Sequence, residues 1–213
     1  MAIDVKTIIA DALLELCKQK PLPKVTVGDI QEKSGVSRQT FYNHFKDKRD
    51  LIQYIYESRV IPHWNTPSDT NLDYYSAKLS VLKSDEKYHY FLKQACKMTG
   101  ANCLTDFMYE HSRRFDRLWH QALYGNDPLP PELCFISDYH SAAGMYMRIR
   151  WIMEDMPTPP EEMAEFFALS RLVSLGDLLF QENDTENPYL STFKKRSSSC
   201  LPIKFSHTGG EKT

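Results

Sequence analysis

The segment from Ser37 to Lys48, SRQTFYNHFKDK, sets guanidinium, amide, hydroxyl, imidazole and ammonium donors within a few helical turns. These are the groups that recognise duplex DNA. Arg38 can offer a fork of N–H groups to guanine O6 and N7. Gln39 can pair with adenine N6 and N7, and Thr40 can meet a thymine methyl or a phosphate. Tyr42 and His44 can hydrogen-bond phosphate, and Lys48 can add a charge-assisted contact. Thr26, Ser37, Asn43 and Lys46 complete the candidate DNA-contacting set. In such a set the phosphate contacts fix depth and register, while the base contacts carry the sequence information.

Such residues work only if short helices hold them. Thr26 fits a helix N-cap, with Asp29 three positions on as a weaker relative of the Ser/Thr…Glu capping box. A short helix over about 27–34 follows, its Val27 and Ile30 turned to a core. Gly35 stands where a positive φ allows a sharp turn. Ser37 caps a second helix over about 38–44, and Asp47 caps a further helix from about Lys48. Phe41 and Phe45 lock the second helix inward. Upstream, Val5, Ile8, Ile9, Ala12, Leu13, Leu16 and Cys17 give a helix over about 3–19 one apolar face. Pro21 and Pro23 end it and predict an extended link. The sum is a three-helix unit containing a helix-turn-helix, with Leu51, Ile52, Ile55 and Tyr56 of the next helix packing on the first.

The charge distribution agrees with this reading. The chain of 213 residues carries a net charge of −2. Residues 18–49 nevertheless hold eight Lys/Arg against three Asp/Glu, while residues 61–193 sum to −8. The basic excess thus sits where phosphate would be met. The five cysteines are scattered without a CxxC, and no HxxxH or HExxH occurs, so reduced thiols, no metal and no cofactor are expected. No apolar run approaches the roughly 18–20 residues that span a bilayer. The first residues read as an amphipathic helix rather than a leader, so no membrane association and a cytoplasmic location are expected. No Gly-rich phosphate loop, GxSxG or carboxylate pair points to an enzyme.

The run VTVGDIQEKSGVSRQTFYNHFKDKRDLIQYI resembles the DNA-binding domain of the TetR family of bacterial regulators. The residues that carry the likeness are Thr26, Gly35-Val36-Ser37, Thr40-Phe41-Tyr42-Asn43-His44-Phe45, Lys48 and Leu51. The resemblance implies a homodimer on a palindromic operator, with Tyr42, His44 and Lys48 on phosphates and Arg38 and Gln39 on bases. Relatives often carry a small residue where Gln39 stands, so its long amide implies an added base contact. The aromatic-rich stretch Tyr88-His89-Tyr90-Phe91 is similar to a branch that includes regulators of dihydroxyacetone kinase operons. Some members of that branch are activators working with a protein partner.

The rest of the chain reads as helical, over about 72–83, 85–98, 103–124, 132–155 and 160–181. The fold class is therefore all-α: a DNA-binding domain over 1–60, a larger helical ligand-binding and dimerisation domain over 61–182, and a flexible tail over 183–213. Ile136, Tyr139, Ala143, Met147, Trp151, Phe166, Phe167, Val173 and Leu179 are the candidate dimer contacts on the last two helices. Ala142, Ala143 and Gly144 would allow close approach there. His89, Phe107, Tyr109, His111, Trp119 and Arg148 are the candidate ligand-binding residues, around a medium-sized aromatic cavity. The expected function is a homodimeric repressor released by a small-molecule effector. The alternative is a partner-dependent coactivator or constitutive DNA binder.

Overall fold

The computed structural model describes residues 4–61, 74–125 and 127–172. Residues 62–73, Val173, Leu179 and the segment 183–213 expected to be a flexible tail lie outside the described residues. Nine α-helices and no strand occur among the described residues: α1 Val5–Gln19, α2 Val27–Ser34, α3 Arg38–His44, α4 Lys48–Ile55, α5 Tyr74–Lys87, α6 His89–Ala95, α7 Leu104–Tyr124, α8 Pro131–Met153 and α9 Pro160–Leu172.

Helix α1 buries Ile9, Leu13, Leu16 and Cys17 against α2, α4 and α6. It starts at Asp4, whose carboxylate accepts from the Lys6 amide at 3.0 Å and the Thr7 hydroxyl at 2.9 Å. After it, Pro21 and Pro23 do not give a fully extended link. Leu22–Lys24 closes a 3₁₀ turn through Lys24 N–H to Pro21 C=O, at 2.8 Å. Proline restricts φ to a value that a 3₁₀ turn also accepts, and Pro21 needs only to accept.

Helix α4 ends in a π-helical turn, Tyr56–Val60, where the Ile61 amide reaches back five residues to Tyr56 C=O at 2.9 Å. The widened turn sends the Tyr56 ring into the interior, with 1% of its surface exposed. The hydrophobic core runs on without a break, from Ile9 and Phe41 through Tyr56 and Leu92 to Trp151 and Phe167. The break between α5 and α6 falls at Tyr88, not near residue 84 as the sequence pattern predicts. Long helices α7 and α8 pack side by side across a polar seam. Arg117 forks onto Asp138 at 2.9 and 2.7 Å, Ser141 donates to Asp116 at 2.6 Å, and His120 meets Ser137 at 2.9 Å.

Two of the expected inter-subunit contacts are spent inside the chain. Trp151 is buried and donates its indole N–H to Thr158 C=O at 2.8 Å. Phe167 is buried with its ring against Gly144, where an added Cβ would stand 3.6 Å from it. A Cβ there would make only an ordinary van der Waals contact, so the packing of Phe167 does not itself require glycine at 144.

Candidate nucleic-acid interface

Three N-caps set the angles of the helices at this surface. Thr26 and Asp29 form a full, reciprocal capping box. The Asp29 carboxylate accepts from the Thr26 amide at 2.6 Å and hydroxyl at 2.8 Å, and the Asp29 amide donates to Thr26 Oγ at 3.2 Å. The short Asp side chain is sufficient, contrary to the weaker box the sequence suggests. Lys20 adds a 2.6 Å ion pair to the same carboxylate. The Lys20 bond and the Thr26 donors hold Asp29 well below the usual carboxylate range. Gly35 takes φ 71°, ψ 8°, and its amide closes α2 onto Gln31 C=O. That left-handed conformation suits glycine and turns the chain toward α3. Ser37 Oγ accepts from the Thr40 amide at 3.1 Å and shares a hydrogen bond with Thr40 Oγ at 2.8 Å. Asp47 receives the Arg49 and Asp50 amides at 2.7 and 2.9 Å.

Between the caps, α3 divides into two faces. Phe41 and Phe45 are buried, with ring centroids 5.9 Å apart, and Phe45 packs on Tyr54 at 5.3 Å. Arg38, Gln39, Tyr42 and Asn43 are exposed on a separate face, with Thr40 and His44 half-buried beside them. The Arg38 guanidinium lies 5.4 Å from the Tyr42 ring centroid, one turn along. Lys46 is exposed just past the helix, and its amide donates to Asp50 at 2.8 Å. The structure thus brings eight of the ten candidate DNA-contacting residues onto or beside one short helix: Ser37, Arg38, Gln39, Thr40, Tyr42, Asn43, His44 and Lys46.

Thr26 and Lys48 are placed otherwise. The Thr26 hydroxyl both donates and accepts within its capping box. The Lys48 ammonium donates to the carbonyls of Leu22, Pro23 and Val25 at 2.9, 3.3 and 2.7 Å, using its three N–H bonds on the 3₁₀ turn. Burial there lowers its pKa. In this arrangement Lys48 staples the start of α4 to the link between α1 and α2 instead of facing outward.

Sequence reasoning missed Arg49 and Gln53. From α4 they grip four consecutive carbonyls of the α6–α7 loop. Arg49 donates to Thr99, Gly100 and Ala101 at 2.8, 3.5 and 2.8 Å, and Gln53 donates to Asn102 at 3.2 Å. Their i, i+4 spacing on one face of α4 was the available signal, but the partner loop lies about fifty residues away and has no local pattern. Gln94 of α6 makes a second tie, donating to Cys17 C=O and accepting from the Leu22 amide.

The candidate ligand-binding residues do not converge on one place. A cavity of about 60 Å³ is lined by Tyr56, Ile61, Lys78, His111, Ser112, Phe115, Asp116 and Arg148, among others. His111 and Arg148 belong to it. His89 instead donates to Ile152 C=O at 3.0 Å, Phe107 stacks edge-on against Tyr56, and Trp119 packs on Phe115. Tyr109 packs against the core without lining the cavity. The cavity is smaller than the medium-sized one expected, and of the buried Arg148–Asp85 pair only Arg148 lines it.

Two family models match the chain. One, for bacterial regulatory proteins of the tetR family, covers residues 9–55, and the other, for a transcriptional regulator C-terminal region, covers residues 75–170. The HTH-type dhaKLM operon transcriptional activator DhaS of Lactococcus lactis subsp. lactis (strain IL1403) is 25% identical over 158 residues, 67% of this chain and 76% of that protein. The HTH-type transcriptional regulator AcrR of Shigella flexneri is 41% identical over 49 residues, 23% of each chain. Among solved structures, a dihydroxyacetone kinase operon activator DhaS matches with a TM-score of 0.58 at 19% identity, over 78% of this chain and 93% of that one.

Proposed function

Since the chain belongs to the tetR family of bacterial regulatory proteins and is a DNA-binding transcriptional regulator, we propose that it binds a palindromic operator as a homodimer, with α3 in the major groove. The observation that carries this reading is the division of α3. Phe41 and Phe45 fix the helix from inside, and Arg38, Gln39, Tyr42 and Asn43 stand together outside. Arg38 and Gln39 read base edges; Tyr42, His44 and Lys46 hold phosphates. Two copies related by a two-fold axis would place their helices about 34–36 Å apart, one turn of B-DNA. The exposed apolar stripe of α8 supports the pairing of two copies.

A specific observation favours the partner-dependent reading of its control over a small-molecule repressor. A cavity of about 60 Å³ is well below the roughly 300–1,000 Å³ of a drug-sized ligand site. The relative that matches over most of its length carries the name of an operon activator. On this reading the controlling signal reaches the regulatory helices from a protein.

Selection of bound duplexes from random DNA with the purified protein tests the first reading. It should return a palindrome whose half-site centres lie about one helical turn apart. Recovery of no preferred sequence would overturn it. A reporter driven by the selected operator, with and without the protein, then gives the sign of control.

A further inference from the structure

Lys6 lies outside the helix-turn-helix segment and on a different helix, α1. Its ammonium stands 5.9 Å from the centroid of the Phe45 ring and 5.3 Å from that of Tyr54. Phe45 is the residue at which α3 ends, and it sits between His44 and the exposed Lys46. The cation of Lys6 is thereby held beside the side chain of the residue that closes the recognition helix. Among the described residues Lys6 has no carboxylate partner. The nearest acid in sequence, Asp4, spends its oxygens on the Lys6 amide and the Thr7 hydroxyl in capping α1. The rings hold the cation by their faces and accept none of its N–H groups in a conventional hydrogen bond. Lys6 is half-buried, its stem covering the Phe45–Tyr54 pair.

We propose that Lys6 is a DNA phosphate contact, delivered by α1 to the backbone strand that flanks the carboxyl end of α3. The proposal rests on the docking of α3 in the major groove. A helix in that groove, about 12 Å wide, is flanked by phosphates on both sides, and Lys6 beside Phe45 and the exposed Lys46 that follows it put two ammonium groups at one end of it. The Phe45 and Tyr54 rings do for Lys6 what the three carbonyls do for Lys48: they fix an ammonium in place. The difference is that the rings leave its N–H bonds available to an anion.

The test measures binding to a selected duplex and to an unrelated duplex of equal length across a salt series, with wild type, Lys6→Gln and Lys6→Arg. Lys6→Gln should weaken binding to both duplexes alike and flatten log K against log salt by about 0.9 per bound protomer. Lys6→Arg should keep the wild-type slope. An unchanged slope in Lys6→Gln overturns the proposal, whether or not affinity falls, because lost packing alone releases no counterions. Thermal midpoints of the three proteins separate destabilisation from lost contact. Gln39→Ala in the same assay separates the proposal from the reading it rests on. If Gln39→Ala leaves the preference for the selected duplex intact while Lys6→Gln flattens the slope, base reading by Gln39 fails and the Lys6 contact stands.

Discussion

Arg148 of α8 and Asp85 of α5 meet in a two-pronged ion pair inside the protein. Nε and Nη2 each donate to a different Asp85 oxygen at 2.6 Å, and the two residues are 5% and 0% exposed. The third nitrogen donates to the Tyr56 hydroxyl at 3.0 Å, joining the π turn after α4 to α5 and α8. Burial raises the Asp85 carboxyl against the pull of the Arg148 charge, and raises the Tyr56 phenol to about 12. Removing one partner leaves the other charge buried and unpaired. Arg148→Met or Asp85→Leu alone should therefore cost about 3–5 kcal/mol, and the double variant should cost much less than the sum of the two. Urea denaturation at a fixed protein concentration measures all three. Additive losses would show that the pair does not act as a unit.

That pair also marks what the sequence could and could not disclose. The helix-turn-helix was legible because its determinants are local. Caps sit at Thr26, Ser37 and Asp47, a left-handed glycine sits at Gly35, and two phenylalanines four residues apart anchor α3. Arg148 was legible as a notable polar residue, but its partner lies 63 positions away, and no periodicity links the two. Lys48 fits a phosphate contact by position alone. Only the 3₁₀ turn at Leu22–Lys24, which neighbouring prolines hid, shows three carbonyls waiting for it. Trp151 and Phe167 lie on apolar stripes that suit an outer or an inner face equally. The thiols follow the same rule. Burial pushes the Cys17 thiol up to about 11 and the Cys96 thiol up to about 12, which spacing alone does not reveal.

His111 gives stability a pH dependence with a definite sign. Burial lowers its pKa below the ordinary 6.5, and the nearby charges of Arg148 and Arg114 lower it further. The Tyr56 ring covers it edge-on at 6.1 Å. The folded protein therefore holds this imidazole neutral at a pH where the unfolded chain protonates it. Its contribution is complete above about pH 6.5 and is lost as the pH falls through the folded value. Between pH 7.5 and 5.5 the wild type should lose more stability than His111→Gln, as read by denaturation at the two values. Equal losses would place the acid sensitivity elsewhere.

The outer face of α8 predicts the dimer contact. Phe135, Tyr139 and Tyr146 are 73%, 63% and 69% exposed, and Met147 lies on the same side. Three large aromatics on one side of a helix match the apolar core of a protein interface. Tyr139→Glu with Tyr146→Glu should halve the mass in sedimentation and leave helical content unchanged, since neither side chain is part of the core. Operator affinity should fall with it, because each monomer would engage a single half-site. A double variant that stays dimeric would move the interface off this face.

The recognition helix makes the sharpest distinction. Gln39 is exposed and has no hydrogen-bond partner among the described residues, whereas Tyr42 carries its hydroxyl on a ring backed by Phe41, edge-on at 5.3 Å. A flexible amide that pairs with one base should matter only where that base is present. Gln39→Ala should therefore reduce discrimination at one position in each half-site by about 1–3 kcal/mol, and leave affinity for unrelated DNA nearly unchanged. A phenol on phosphate carries no sequence information, so Tyr42→Phe should weaken selected and unrelated duplexes by the same factor. Binding to single-base variants of the selected operator measures both. If Tyr42→Phe changed the base preference and Gln39→Ala did not, the two roles would have to be exchanged. The reading face of α3 would then be rotated toward Tyr42 and Asn43.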